Sequence, residues 1–338
     1  MFSPSLAFLR QVFTPRLRGF DQQTIKASAT PATVYRLILE YDGRPAGPAS
    51  TILKVVQPDW PGDPDGHDRE RRFYADLAPG LELNHPLLYY EGVDPDSQCR
   101  LLLLEDLGAS HRFPPPTHAW SWDELRCLLR TYARLHVRGE GCLPPAGQRA
   151  WLMSRHETRW TAGGITQMVN DLGTQGIWPP LSHLETLLQR TLDEIEAAAG
   201  WPITLLHNDV YPPNGGLPAG LERGEAALID WEMAGWGHAE LDLAYMFTQP
   251  FCSSSRLDQT AALHYYWQER RRWEGTTPSA AEQLARQRQA NRLLALSLVP
   301  VAHHVAAHPF PSGSAPAVYW ASMFGVLYRR LQELVSNE

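Results

Sequence analysis

The sequence contains no long apolar stretch, because no run of about 18 uncharged apolar residues occurs in it. We therefore expect no transmembrane helix and no membrane partner. Basic blocks are also missing, and the net charge of -7 argues against a protein that binds nucleic acid. An apolar content of 43% and a charged content of 20% exclude a disordered chain, and 338 residues suffice to bury one large core or two smaller ones.

Cysteine and lysine are both scarce. The four cysteines lie far apart and form no Cys-x-x-Cys pair, which fits neither a zinc knuckle nor a disulfide framework and favours a reducing compartment, here the cytoplasm. They are Cys99, Cys127, Cys142 and Cys252. Only Lys26 and Lys54 are lysines, whereas 28 residues are arginine. A lysine is therefore unusual in this chain, where arginine supplies nearly all of the positive charge. Lys differs from Arg because it carries a compact ammonium on a flexible stem.

Strand-forming residues dominate the first hundred or so residues. The candidate strands are Thr24–Ser28, Val34–Tyr41, Thr51–Val56, Tyr89–Val93 and Arg100–Leu104. Phe73 and Leu77, four residues apart, predict an amphipathic helix over residues 67–77 that ends at Pro79-Gly80. The first twenty residues are expected to form a plain extension or a helix.

Helical spacing of apolar residues characterises the remainder. The predicted helices are Trp120–Val137, Leu181–Ala199, Ala280–Ala307 and Ala317–Val335, with extended segments only at Ile203–Leu206 and Ala226–Ile229. The sequence thus predicts a small β-rich lobe over residues 1–107 and a larger helical lobe over residues 108–338.

The densest group of polar residues runs from His207 to Asn214, on a loop after a short strand. A second short strand ends at Asp230, so the oxygen-bearing side chains of Asp209, Asn214 and Asp230 can converge. Hard oxygen ligands suit Mg²⁺, which completes its shell with phosphate and water. A carboxylate that does not bind the metal can accept a hydroxyl proton.

The pattern His207-x-Asp209-x-x-x-x-Asn214, followed by Ile229-Asp230-Trp231-Glu232, resembles the aminoglycoside phosphotransferase and choline kinase family, which has the protein-kinase fold. Further segments agree in order over residues 24–250, and the combination is specific although each segment alone is weak. These are Lys54, Glu70, Leu101–Leu107, Ala133–His136 and Gly237–Ala244. The resemblance implies an α+β fold with two lobes: a small antiparallel β-rich N-terminal lobe and a larger, mainly helical C-terminal lobe.

The resemblance also implies a MgATP-dependent kinase that phosphorylates a hydroxyl of a small molecule, such as an aminoglycoside, another antibiotic, a sugar or an amino alcohol. Asp209 would be the catalytic base or the residue that orients the hydroxyl, and Asn214 and Asp230 would hold Mg²⁺. Lys54, kept in place by Glu70, would bind the phosphates. The other implied contacts are the backbone at Glu105 and Leu107 for adenine, Ser28 and Thr30 for phosphate, and Glu232 and Trp236 for the acceptor.

Three departures from the family pattern occur. Asn208 replaces the usual glycine after His207, the nucleotide loop has no glycine between Ser28 and Thr33, and Pro212-Pro213 replaces the usual Pro-Gly. The first two leave an alternative open, namely a kinase-like scaffold that binds a nucleotide or a partner without turnover. GTP remains possible in place of ATP, because a backbone contact can serve either purine, and the sequence does not define an oligomeric state.

A third interpretation is a metallohydrolase that uses the histidines near the C-terminus. His304 and His308 are spaced to share a helix face, and His303 is adjacent. No His-Glu-x-x-His pattern accompanies them, so we expect packed or solvated histidines and no zinc.

Overall fold

The computed structural model describes residues 2–26, 32–44, 46–58, 65–154, 162–179, 184–197, 201–222, 224–248, 258–274 and 278–336. The N-terminal region is built on a five-stranded antiparallel sheet with the order β1-β2-β3-β5-β4. Its strands are β1 (Leu17–Lys26), β2 (Ala32–Tyr41), β3 (Ser50–Val56), β4 (Leu88–Val93) and β5 (Arg100–Glu105).

Four of these strands lie where the sequence predicts them, whereas β1 begins at Leu17 and not at Thr24. The early part of β1 is rich in charged and amide side chains and has no strand-like alternation of apolar residues. Its pairing with β2, which sets Phe20 opposite Leu39 and Gln22 opposite Leu37, makes it a strand.

The alternation of side chains gives the sheet two different faces. On one face, Leu37, Leu53 and Leu101 are buried in a core that also contains Leu9 of the helix α1 (Leu6–Val12). Because successive side chains of a strand point to opposite faces, Lys54 projects from the face away from this core. The sheet register thus directs Lys54 toward the rest of the molecule.

A helical segment connects β3 to β4. It consists of α2 (Gly66–Arg72), a π turn (Phe73–Leu77) and the short helix α3 (Ala78–Leu81). The predicted end at Pro79-Gly80 is therefore wrong. Pro79 lies in the first turn of α3, where its missing N–H is not needed, and Glu82 ends the segment in the left-handed region with a φ of 52°.

The rest of the described chain is mainly helical. Its longer helices are α4 (Trp122–Cys142), α5 (Ala162–Thr174), α6 (Leu184–Ala197), α7 (Glu240–Thr248), α8 (Gln259–Glu274), α9 (Ala280–Ala307) and α10 (Ala315–Ser336). The predictions of α4, α9 and α10 are confirmed with at most small shifts of their ends, and α5, α7 and α8 are additional. The prediction of α6 is confirmed for Leu184–Ala197, and both of its predicted ends lie outside the described residues. Ser121 caps α4: its hydroxyl accepts from the Glu124 N–H at 3.3 Å, and its own N–H donates to the Glu124 carboxylate at 2.9 Å.

Two short sheets hold the loops of this region. One contains β7 (Met153–Ser154), β11 (Gly235–Gly237) and β8 (Thr204–Leu206), and the other contains β10 (Ala227–Leu228), β9 (Gly215–Pro218) and β6 (His111–Arg112). The loop 207–214 runs from β8 to β9, and Asp230 follows β10. Among the described helices, none combines the length and apolar character needed to span a membrane.

Candidate active site

Lys54 lies at the centre of a group of carboxylates. Its Nζ is 2.7 Å from Oε2 of Glu70, 2.5 Å from Oδ1 of Asp230 and 3.4 Å from Oε2 of Glu232. The side chains of Lys54 and Glu70 are only 9% and 1% exposed, whereas those of Asp230 and Glu232 are 22% and 37% exposed. The cluster therefore joins the sheet and α2 to the turn after β10, and it reaches solvent on the side of Asp230 and Glu232.

The charges in this cluster depend on one another. Burial alone would lower the pKa of Lys54, but Asp230, Glu70 and Glu232 reverse this effect and hold the pKa well above its usual value. Burial raises the pKa of the Glu70 carboxyl, and Lys54 opposes the rise. Removing one partner of a buried ion pair leaves an uncompensated charge, so Lys54 and Glu70 form a unit.

Two side chains orient the carboxylate of Asp209. Asn214 donates from Nδ2 to Oδ2 at 2.7 Å, and the Tyr245 hydroxyl donates to Oδ1 at 3.3 Å. Burial, followed by the charges of Asp230 and Glu232, raises the pKa of Asp209 to about 7, while the two hydrogen bonds oppose the rise. The carboxylate is therefore fixed in direction and able to take up a proton near neutral pH.

Asp242, in the first turn of α7, anchors the loop that carries Asp209. Its Oδ2 accepts the His207 N–H at 2.9 Å, and its Oδ1 accepts the Asn208 N–H at 2.8 Å. Nε2 of His136, from α4, lies 3.2 Å from the same carboxylate, which is fully buried. Because a buried carboxylate needs such partners, the start of the loop is held in one conformation.

His207 links the two loops of the site. Its Nδ1 accepts the Asp209 N–H at 3.3 Å, and its Nε2 lies 3.0 Å from the carbonyl oxygen of Ile229. These partners assign the ring proton to Nε2. Burial lowers the pKa of His207, so the ring is neutral and serves to hold the loops.

The conformation of Asn208 explains one departure from the family pattern. Its φ of 61° lies in the left-handed region, which glycine adopts freely and which Asn tolerates better than most other residues. Its Nδ2 also donates to the carbonyl oxygen of Met233 at 3.1 Å. Asn208 therefore meets the backbone requirement that a glycine would meet at this position.

Asn214 and Asp230 are placed side by side by backbone pairing. Leu228 of β10 pairs with Gly215 of β9, and the Ile229 N–H donates to the Asn214 carbonyl at 3.1 Å. Carboxylate oxygens of Asp230, Glu70 and Glu232 lie within 4.8 Å of one another. Lys54 lies among these three carboxylates, so the donors that suit a metal ion are the open side of the Asp230 carboxylate and the amide oxygen of Asn214, whose Nδ2 is bound to Asp209. Hard oxygen donors of this kind fit a Mg²⁺ ion that shares its shell with phosphate.

Hydrogen bonds anchor the segment that follows β5, an inner strand of the sheet. Asp106 accepts from Nε of Arg36 at 2.7 Å, from the Ser50 hydroxyl at 2.7 Å and from the Gly108 N–H at 2.9 Å. Leu107 begins a short 3₁₀ helix, Leu107–Ala109. The first N–H groups of a helix have no acceptor within the helix. Asp106 already accepts the Gly108 N–H, so the Leu107 N–H is the donor that this backbone can offer to a ligand.

The remaining sequence-predicted site residues have different positions. Ser28 and Thr30 lie outside the described residues. Glu232 belongs to the Lys54 cluster. Trp236 lies on β11, where the guanidinium carbon of Arg149 is 4.5 Å from the centre of its indole ring. The structure thus brings Glu232, but not the indole of Trp236, into contact with Lys54.

Three residues near the site were missed by sequence reasoning: His67, Arg69 and Tyr245. His67 and Arg69 lie on α2 close to Glu70, and Tyr245 lies on α7. Tyr245 follows the segment Gly237–Ala244 directly, so it could have been considered with that segment. The contacts of the other two are long-range in sequence and leave no local signal.

His67 should make the stability of the protein depend on pH. Burial, followed by the charges of Lys54 and Arg100, lowers its pKa from 6.5 to about 4. The unfolded chain therefore binds a proton at higher pH than the folded one. Stability is expected to fall as the pH drops from 6.5 toward 4, by up to about 3 kcal/mol from this group.

The check is urea unfolding of the wild type and of His67→Gln over this pH range. The wild type should lose more free energy of unfolding than the variant. Parallel losses in the two proteins would contradict the assignment.

A model of the phosphotransferase enzyme family matches residues 28–278, so the chain belongs to this family. A microcompartment-associated aminopropanol kinase has a TM-score of 0.60 and 17% identity, with 97% of this chain and 98% of that chain covered. An amicoumacin kinase solved with AMP-PNP and Ca²⁺ has a TM-score of 0.59 and 12% identity, with 99% and 94% covered. A mutant of aminoglycoside 2'-phosphotransferase-IIIa solved with GDP has a TM-score of 0.54 and 12% identity, with 95% and 92% covered. No curated protein matched the chain.

These likenesses confirm the kinase-like fold, with an antiparallel sheet in the N-terminal region and helices in the C-terminal region. The family match identifies the chain as a phosphotransferase, and the expectation of a small-molecule kinase is confirmed at that level.

Proposed function

We propose that this chain transfers the γ-phosphoryl group of ATP, bound with Mg²⁺, to a hydroxyl group of a small molecule. The observation that carries the proposal is that two groups of side chains meet in one site. One part is the buried pair of Lys54 and Glu70, and the other is the oriented carboxylate of Asp209. Asp230 connects them, because it contacts Lys54 and its charge acts on Asp209.

In this proposal, residues 1–107 bind the nucleotide. Glu70 fixes Lys54, whose other two N–H groups meet Asp230 and Glu232 in this structure and would turn from these carboxylates to the α- and β-phosphates. The backbone from Glu105 to Leu107 contacts adenine, and Ser28 and Thr30 contact phosphate. A backbone contact of this kind accepts GTP as well, so the choice between the two nucleotides is a matter for measurement.

Asn214 and Asp230 are the residues that would hold Mg²⁺. When bound, the ion supplies positive charge that neutralises the phosphates, which is the main requirement of phosphoryl transfer. The two side chains come from paired strands, because Asn214 directly precedes β9 and Asp230 follows β10. Lys54 would add a second positive charge next to Asp230.

The acceptor binds in the part of the chain formed by residues 108–338. Its hydroxyl oxygen attacks the γ-phosphorus, its proton passes to the carboxylate of Asp209, and ADP leaves. The raised pKa of Asp209 suits this role, because a base that titrates near the working pH accepts a proton readily. We assign Glu232 to the acceptor site because its side chain is 37% exposed beside Lys54, and Trp236 is a second candidate for contact with the acceptor.

The alternative is a catalytically inactive kinase-like scaffold. Two observations supported this alternative: position 208 is not glycine, and the nucleotide loop contains no glycine. The first no longer supports it, because Asn208 adopts the left-handed conformation that a glycine would adopt. We also propose a cytoplasmic location, because the described cysteines Cys99, Cys127 and Cys142 are free thiols, as a reducing compartment favours.

The test is ADP release from ATP and Mg²⁺ with a panel of aminoglycosides, other antibiotics, sugars and amino alcohols. At least one acceptor should raise ADP release well above the rate of Asp209→Asn, and mass spectrometry should find the phosphate on that acceptor. If the wild type binds MgATP but never exceeds the variant with any compound, the scaffold alternative replaces the proposal.

A further inference from the structure

Arg69 joins α2 to two segments of the C-terminal region. Its Nε donates to the carbonyl oxygen of Trp151 at 3.2 Å, and its Nη1 donates to the carbonyl oxygen of Glu232. The residue is only 6% exposed. A buried guanidinium is stable only when its donors are satisfied, so these carbonyl groups are required partners of Arg69.

The carbonyl of Glu232 belongs to the short 3₁₀ turn Trp231–Met233, which begins directly after Asp230. A contact with this carbonyl therefore restrains the turn that carries Asp230 and Glu232. Asp230 itself has a φ of 64°, a left-handed conformation that a non-glycine residue keeps only where its surroundings hold it.

The same face of the helical segment contacts the turn a second time. Phe73 follows Arg69 by four residues, and its ring stacks on Trp231 at 3.7 Å with an interplanar angle of 9°. Glu70, between them, holds Lys54. One helical segment thus fixes the lysine through Glu70 and the turn after Asp230 through Arg69 and Phe73.

We propose that Arg69 is a positioning residue that holds Asp230 and Glu232 in the arrangement needed for a nucleotide bound with Mg²⁺. The inference rests on the proposed function, because it assigns the nucleotide and the ion to this site. Arg69 contacts the turn after Asp230 through a backbone carbonyl oxygen. Its effect passes through the peptide of Glu232 to the carboxylates on either side of Trp231.

The test compares ATP affinity with and without Mg²⁺ by calorimetry. The ratio of the two dissociation constants isolates the contribution of the ion, because a general loss of structure weakens ATP in both conditions. Outer-shell contacts typically change metal affinity by 10- to 100-fold, so Arg69→Met should reduce this ratio about tenfold or more. Arg69→Lys keeps one donor group and should fall between Arg69→Met and the wild type.

The matched control is Arg72→Met. Arg72 lies on the same helix and also contacts the C-terminal region, with its guanidinium carbon 4.4 Å from the centre of the Trp151 ring. It should leave the ratio at the wild-type value. Equal ratios in the wild type, Arg69→Lys and Arg69→Met would overturn the proposal.

Thermal unfolding of each variant establishes that it is folded. If Arg69→Met fails to fold, Arg69→Lys decides alone: a reduced ratio supports the proposal, and a wild-type ratio overturns it. A wild type whose ATP affinity does not respond to Mg²⁺ would mark the failure of the proposed function itself, which the variants do not affect.

Discussion

Asp209→Asn is expected to slow phosphoryl transfer by about 10²- to 10⁴-fold, the usual contribution of a positioned general base. Asn has nearly the same size as Asp and still offers an oxygen to Asn214, so the loop should keep its conformation. It cannot take up the hydroxyl proton. The measurement is kcat with an acceptor identified in the panel, and the KM for ATP should stay near the wild-type value.

The pKa of Asp209 and a matched control variant make this prediction specific. Folding raises the pKa of Asp209 to about 7, so the charged form is disfavoured and the neutral Asn should not destabilise the protein. Tyr245→Phe is the matched control, because it removes one hydrogen bond to the carboxylate but leaves the base in place. It should cost no more than about tenfold. A rate for Asp209→Asn equal to that of Tyr245→Phe would contradict the assignment of the base.

Lys54→Met is expected to have the largest effect on stability, about 3–5 kcal/mol, and to remove ATP binding as well. The substitution leaves Glu70, whose side chain is 1% exposed, without its cation and in the company of Asp230 and Glu232. The cost comes from an uncompensated buried charge and not from lost apolar contacts, since Met has a similar length.

A double-mutant cycle tests this cause. Lys54→Met combined with Glu70→Gln should recover much of the lost free energy of unfolding in urea, but it should not recover ATP binding. The single Glu70→Gln variant completes the cycle. If the double variant is as unstable as the sum of the two single variants, the ion pair does not act as a unit and the explanation fails.

The order of the site residues along the chain could be predicted, and the family resemblance also implied the contact of Lys54 with Glu70, but the contact of Lys54 with Asp230 was not predicted. The rarity of lysine singled out Lys54, and the spacing of Asp209, Asn214 and Asp230 singled out the polar loops. Local patterns contain this information because Lys54 lies within a strand and the two polar loops each follow a short strand. The contact of Arg69 with Glu232 joins residues that are far apart in sequence, and nothing near Arg69 marks it.

One of the helices that the sequence did not predict, α7, has a physical reason for showing no periodic pattern of apolar residues. In α7, Leu241, Leu243, Ala244, Met246 and Phe247 are all buried, so apolar residues surround the helix and leave no period to detect. The start of strand β1 was missed because its residues are mostly polar and show no alternating pattern. Its pairing with β2 makes it a strand.

The left-handed residue Asn208 was visible in the sequence as an exception, and its backbone conformation supplies the reason. Asn is one of the few side chains that tolerate this region, so its presence where a family has glycine predicts a positive φ. The left-handed conformation of Asp230 differs in this respect, because the surrounding contacts of the turn determine it.

The most direct test of the account is calorimetric titration of the wild type and of Asp230→Ala with ATP, each with and without Mg²⁺. The account predicts that Mg²⁺ strengthens ATP binding to the wild type and has no effect on ATP binding to Asp230→Ala. Absence of ATP binding to the wild type at millimolar concentration, or an undiminished Mg²⁺ effect in Asp230→Ala, would contradict a nucleotide and metal site built on Lys54, Asn214 and Asp230.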